Sequence, residues 1–181
     1  MSGAQADPFH LVRFVTAQAG TYDSAMEELR RGRKTSHWMW FVFPQVAGLG
    51  RSGTAVRYAV SGLQEARAYL AHPVLGPRLV AAAEVAASAP ARDADALLGG
   101  IDAVKLRSSM TLFAHAAEPG TGQQDAGSPD VGDPDAVPPA FRAGAGDPDA
   151  ASSQPAAPFR AVLDRWYEGR EDPATLALLH T

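Results

Sequence analysis

Asp102-Ala-Val-Lys-Leu-Arg-Ser-Ser-Met-Thr-Leu-Phe113 is the stretch that decides the fold class. Leu106, Met110 and Phe113 recur at i, i+4 and i+7, the period that collects apolar side chains on one face of an α-helix. Asp102 is a residue type that caps a helix start, and the expected helix runs to about Ala116. A second side of it carries Lys105, Ser108, Ser109 and Leu112. Working outward, the same period returns on both sides. Val74–Ala87 is rich in Ala, Val and Leu, with Pro77 placed for a first turn. Ser61 and Gln64 are expected to cap a helix bearing Leu63, Ala66 and Leu70, which ends before His72-Pro73. Ser24 and Glu27 form a capping-box pattern for a helix through Met26 and Leu29 that stops at Gly32. Asp7 and Pro8 open a first helix with Phe9, Val12 and Val15 on one face. Towards the C-terminus, Pro158 opens a helix with Phe159, Val162, Leu163 and Trp166 inward and Gly169 beyond its end. Asp172-Pro173 starts a last short one. Convincing period-two strands are absent, so the expected class is all-α.

Residues 118–157 interrupt this pattern. They are mostly Gly, Pro, Ala, Ser and Asp, with Gly-Asp-Pro-Asp at 132–135 and again at 146–149, and Phe141 as sole aromatic. Such a composition buries too little apolar surface to offset the entropy of ordering it, which predicts a disordered acidic insertion. Closing a loop costs only about 0.6 kcal/mol more per doubling of its length, so a fold tolerates one. Helices as short as the last two are unstable alone in water. The expectation is therefore one compact multi-helix domain: a helical core over 1–117, a disordered surface insertion over 118–157, and C-terminal helices over 158–181 docking back on the core.

The formal charge is −4. The insertion alone carries −6, from seven acids and Arg142, leaving the rest at +2. That is too weak for a nucleic-acid footprint but would not repel a small anion. There is no cysteine, hence no disulfide framework and no thiolate metal site. The N-terminus lacks a secretory pattern, and the longest fully apolar stretch, Trp38–Phe43, is far below the ~20 residues of a membrane helix. A cytoplasmic protein with neither nucleic-acid nor membrane partner is expected; protein partners are not indicated. The five histidines, His10, His37, His72, His115 and His180, show no metal-ligand spacing, and neither a metal nor a cofactor is expected.

Three segments could carry chemistry. Gly32-Arg-Lys-Thr-Ser-His-Trp-Met-Trp-Phe-Val-Phe-Pro-Gln45 holds two of the three tryptophans directly after Arg33 and Lys34. Aromatic faces beside cations and hydroxyls suit a planar, phosphorylated ligand; a core segment behind a solvated basic turn is the plainer alternative. Gly48-Leu-Gly-Arg-Ser-Gly53 fits G-x-G-x-x-G by letter. It fails as a dinucleotide fingerprint because Pro44 interrupts the preceding run and no acid lies ~20 residues on. A turn ending in Ser52 at a helix start remains a possible anion contact. On the 102–113 helix, Lys105, Ser108 and Ser109 form a polar stripe that either meets a ligand or permits close helix packing.

These segments, with Asp7-Pro-Phe, Ala17-Gln18, Tyr69-Leu-Ala-His-Pro-Val-Leu-Gly76, Lys105-Leu-Arg-Ser-Ser-Met-Thr-Leu-Phe113 and Asp172-Pro-Ala-Thr-Leu176, resemble a bacterial family catalogued as domain of unknown function 1810. The resemblance covers nearly everything outside the insertion. It implies a single all-helical domain, a short connection in relatives where this chain has 118–157, and no established activity. Some members carry the label "calpastatin", a disordered repeat inhibitor that this helical core does not look like. A fainter similarity, in motif order only, is to the all-helical NADAR family acting on ADP-ribosyl N-glycosidic bonds; it transfers no residue.

Two functional expectations follow. In the first, the Lys34–Gln45 and Lys105–Thr111 segments meet at a small-molecule site for an anionic nucleotide-like or ADP-ribose-like compound. Trp38 or Trp40 stacks on it, Arg33, Lys34 and Arg107 neutralise phosphate, and His37 carries a proton, binding or hydrolysing the ligand. Ser36, Gln45, Arg51, Ser52, Lys105, Ser108 and Ser109 complete the candidate set. In the second, the tryptophans are core and the chain is a non-catalytic interaction or structural module.

Overall fold

A computed structural model describes residues 7–118 and 155–180. The helices are α1 (Val12–Gln18), α2 (Tyr22–Arg30), α3 (Met39–Val42), α4 (Gly53–Arg57), α5 (Leu63–Ala71), α6 (Leu75–Ala87), α7 (Ala94–Leu98), α8 (Gly100–Ala117), α9 (Ala157–Tyr167) and α10 (Pro173–Leu179). Among the described residues no strand forms. One parallel bridge, Val46 with Val60, is the nearest approach to a sheet. The fold class is all-α. The insertion expected over 118–157 lies, from 119 to 154, outside the described residues. No described helix is long and apolar enough to cross a membrane.

α8 is the central element. It packs against α5, α7, α9 and α10 and touches α3. A helix enclosed on most sides cannot be simply amphipathic, and from Ser108 to Ala114 every residue of α8 is buried. Edge-on and tilted ring pairs cross the core: Phe14 with Tyr69 at 5.1 Å, Tyr69 with Phe113 at 5.3 Å, and Phe113 with Phe159 at 5.9 Å. They tie α1, α5, α8 and α9 together; such pairs contribute roughly 0.5–1.5 kcal/mol each beyond area burial. α9 closes over α6 and α8, and Trp166 of α9 donates its indole N–H to the Ala86 carbonyl at 2.9 Å.

Several expected helix starts move. Asp7 does accept from the Leu11 and Val12 amides. His10 takes a left-handed φ of 53°, however, and α1 begins only at Val12. The inward face is therefore Leu11, Phe14 and Gln18, while Val12 is 59% exposed. Ser24 and Glu27 fall inside α2, whose start is Thr21. Ser61 caps nothing, since Gly62 precedes α5 and the Ser61 amide donates instead to Glu65. Asp102 lies in the first turn of α8, which starts at Gly100, and its carboxylate is held by Lys34 and Lys105. The ends are better placed: Gly32 has φ +74° just past α2, and Gly169, φ +70°, donates to the Leu163 carbonyl after α9. At the α5–α6 corner, a Cβ on Gly76 would lie 2.0 Å from the Leu70 carbonyl oxygen. Only glycine lets these backbones meet there.

Candidate functional site

Trp38–Phe43 divides into an inner and an outer part. Trp38 is fully enclosed, and its indole N–H donates to Glu28 Oε2 at 2.8 Å. The same carboxylate accepts from the Thr35 and Ser36 amides and from both hydroxyls, at 2.6 to 3.1 Å. Burial pushes the Glu28 carboxyl up, but these donors outweigh it and bring it down to about 2. The basic turn is thereby folded around one buried anion. Ser36 and Trp38 are consumed by it, and neither lines the cleft that Trp40 borders.

Trp40, two residues on, borders a cleft of about 540 Å³, within the range usual for small-molecule sites. Its polar lining is Gln45, Arg51, Ser52, Lys105, Ser108 and Asp172; Leu49, Ile101, Val104 and Ala174 supply apolar wall. Ile101 and Val104, 79% and 62% exposed, form an unusually apolar rim on α8. Distant segments are thus brought together: the turn after α3, the loop before α4, the outer face of α8 and the start of α10.

Lys105 is held in place. Its ammonium contacts Asp102 Oδ1 at 2.7 Å and sits 4.5 Å from the centre of the Trp40 ring. Lys34, 8% exposed, takes the other oxygen at 2.7 Å and lies 5.3 Å from the Trp38 ring. Burial raises the Asp102 carboxyl, but the two lysine contacts prevail and hold it below the usual aspartate range. Two ammoniums on one carboxylate leave a net +1 beside Trp40.

The loop from Ala47 to Ala59 is clamped at its base. The Ala47 amide donates to the Val60 carbonyl and the Val60 amide to the Gln45 carbonyl, both at 2.8 Å. Arg13 donates to the Arg57 and Ala59 carbonyls. The glycines serve this turn rather than a dinucleotide: Gly48 has φ +102°, and a Cβ on Gly50 would lie 2.4 Å from that of Ala55. Ser52 caps α4 by accepting from the Ala55 amide.

The other candidates are placed elsewhere. Arg33 and His37 are exposed and do not border the cleft. Arg107 donates to the Arg170 and Glu171 carbonyls at 2.9 and 2.8 Å, which pins the turn into α10 and commits the guanidinium. Ser109 is fully buried on the core side of α8, and its hydroxyl has no partner among the described residues. Asp172 was legible only as the cap of α10, which it is, accepting from the Thr175 amide at 2.8 Å; its place at the cleft had no sequence signal. Among the described residues no group of three or more His, Asp or Glu could hold a metal ion.

The family described as "Protein of unknown function (DUF1810)" matches residues 8–126. Among solved structures, the chain is similar to the conserved hypothetical protein Rv1873 from Mycobacterium tuberculosis, with 42% identity and a TM-score of 0.74, covering 97% of this chain and 99% of that one. No curated protein matches.

Proposed function

The chain belongs to the family of proteins of unknown function DUF1810, and from that premise we propose that the Trp40 cleft is a binding site for a small anionic, partly planar molecule of nucleotide-like type. One observation carries the reading: Trp40, Arg51 and Lys105, from three separate segments, border a single cleft. Lys105 is fixed by Asp102 yet retains donor capacity, since an ammonium has three N–H groups. Arg51 makes no ion pair among the described residues and supplies a second cation. Trp40 and the apolar rim suit a planar ring. His37 is remote from this lining, so the reading is one of binding, with no proton carrier assigned. A cytoplasmic setting fits such a ligand and a cysteine-free chain.

The test is thermal unfolding of the full chain with added AMP. Ligand at 100 times its Kd stabilises by about 2.7 kcal/mol, a shift of several degrees. Trp40→Ala and Arg51→Ala are expected to remove that shift while remaining folded. Absence of any shift with AMP, ADP-ribose or other phosphorylated compounds overturns the reading in favour of an interaction module.

A further inference from the structure

The floor of the cleft contains hydroxyl protons whose directions are fixed by chemistry. Thr175 Oγ1 lies 2.7 Å from Asp172 Oδ2, and only the threonine has a proton to give a carboxylate. A hydroxyl has one proton, so in the 2.7 Å contact between Ser108 Oγ and Thr175 Oγ1 the donor is Ser108. Ser108 therefore offers the cleft lone pairs alone. Asp172 Oδ2 is also taken by the Thr175 amide at 2.8 Å. Its Oδ1 has no hydrogen bond among the described residues and is a second acceptor. Ser108 and Asp172 are 1% and 8% exposed, so this is an internal, oriented arrangement. Thr175, fully buried behind them, sets it without bordering the cleft.

The cleft is consequently polarised. Lys105 and Arg51 can only donate; Ser108 and Asp172 Oδ1 can only accept. An anionic group at the floor would face acceptors with no donor, an arrangement that costs the full desolvation of both partners. An ammonium there would gain the Asp172 carboxylate but enter a lining that already carries Arg51 and Lys105, the latter one helical turn from Ser108 on the same face of α8. Neutral hydroxyls satisfy both acceptors without either conflict. We propose that Asp172 and Ser108, oriented by Thr175, form an acceptor-only subsite for the ribose hydroxyls of a nucleotide-like ligand. Its phosphate meets Lys105 and Arg51, and its base lies against Trp40. This rests on the function proposed above and adds the sugar to it.

The experiment compares AMP with 2′,3′-dideoxyadenosine 5′-monophosphate by isothermal titration of the full chain. The two share base and phosphate and differ only in the hydroxyls. AMP is expected to bind at least about tenfold tighter, since hydrogen bonds to a charged acceptor are the stronger kind. In Thr175→Val the Ser108 proton loses its acceptor and turns towards the cleft, so the preference falls below about threefold while the dideoxy compound binds as before. Asp172→Asn, which keeps a capping oxygen but presents an amide at the floor, lowers the preference in the same way; either variant alone suffices if the other does not fold. Equal binding of both nucleotides by the wild-type chain, or a preference unchanged in a folded variant, overturns the subsite and leaves the proposed function standing. Binding of neither nucleotide, with no thermal shift from ADP-ribose or other phosphorylated compounds either, overturns the proposed function itself.

Discussion

Trp38 and Trp40 are two residues apart, and each indole has near it a lysine that grips the same Asp102 carboxylate. Yet the first belongs to the core and the second to the cleft. Around Trp38 the polar groups are saturated: the Glu28 carboxylate accepts from two amides, two hydroxyls and the indole. Around Trp40 the polar groups are held but not saturated, with Lys105 anchored on one side and Arg51, Gln45 and Asp172 Oδ1 left with hydrogen-bonding capacity. A buried polar network that closes on itself stabilises the fold; one that leaves oriented capacity facing a cavity can bind something else.

The sharpest way to break this comparison is to truncate each indole. Trp38→Ala removes a fully enclosed side chain and deprives the buried Glu28 carboxylate of its indole donor, and is expected to cost about 3–5 kcal/mol in urea-induced unfolding. Trp40→Ala is expected to cost no more than about 2 kcal/mol, because its ring is only half-buried, while abolishing the AMP shift. Comparable stability losses from the two would show that Trp40 is a core residue as well.

Next in size is Glu28. Its folded value of about 2 lies below the ordinary 4.5. A depressed carboxylate contributes stability that is fully present above the unfolded value and disappears as pH falls through the folded one. The window is therefore roughly pH 5 down to pH 2, and the shift corresponds to about 3 kcal/mol. Glu28→Gln, which offers one good acceptor where two are needed, is expected to lose a similar amount at pH 7. It should also flatten the acid limb of the stability profile. A variant as acid-sensitive as the wild type would assign that limb to other carboxylates.

The all-α class was legible because helix periodicity and terminators are local: Gly32, His72-Pro73, Gly169 and Asp172-Pro173 each act within a turn. Starts were less legible, since Ser24, Ser61 and Asp102 resemble caps but are drawn off by tertiary partners or positioned one turn inside. The short helices α3, α4 and α7 are shaped by packing and had no periodic signal of their own. Part of the candidate cleft was legible too. Trp40, Gln45, Arg51, Ser52, Lys105 and Ser108 come together at the cleft, whereas Arg107 and Ser36 are taken up by backbone carbonyls and by Glu28. Nothing in the sequence separates a cation that serves a carbonyl 63 residues away from one that faces a cavity. Asp172 was hidden for the same reason, its capping role being local and its cleft role not.

Asp102 links the two regions, and the expected effect of removing it is smaller. Asp102→Asn leaves two ammoniums facing one another, Lys34 being 8% exposed. Breaking such a partly buried pair is expected to cost about 2–3 kcal/mol, with little dependence on added salt because the charges are shielded from solvent. Lys105→Met, which leaves the Lys34–Asp102 pair intact, should cost less. A strong salt dependence of the Asp102→Asn loss would place the triad on the open surface.

The smallest effect separates neighbours on α8. Ser108 hands its proton to Thr175, whereas Ser109, one residue on, is buried with no partner for its hydroxyl among the described residues. An unpaired buried hydroxyl carries a desolvation penalty, and alanine is also the better helix former by a few tenths of a kcal/mol. Ser109→Ala is therefore expected to raise the unfolding midpoint, by the equivalent of about 1 kcal/mol, and to leave AMP binding unchanged. Ser108→Ala should do the reverse, weakening AMP binding and leaving the Thr175 oxygen without its donor. If Ser109→Ala instead destabilises, its hydroxyl has a partner in solution and the division of α8 into a core-facing and a cleft-facing serine fails.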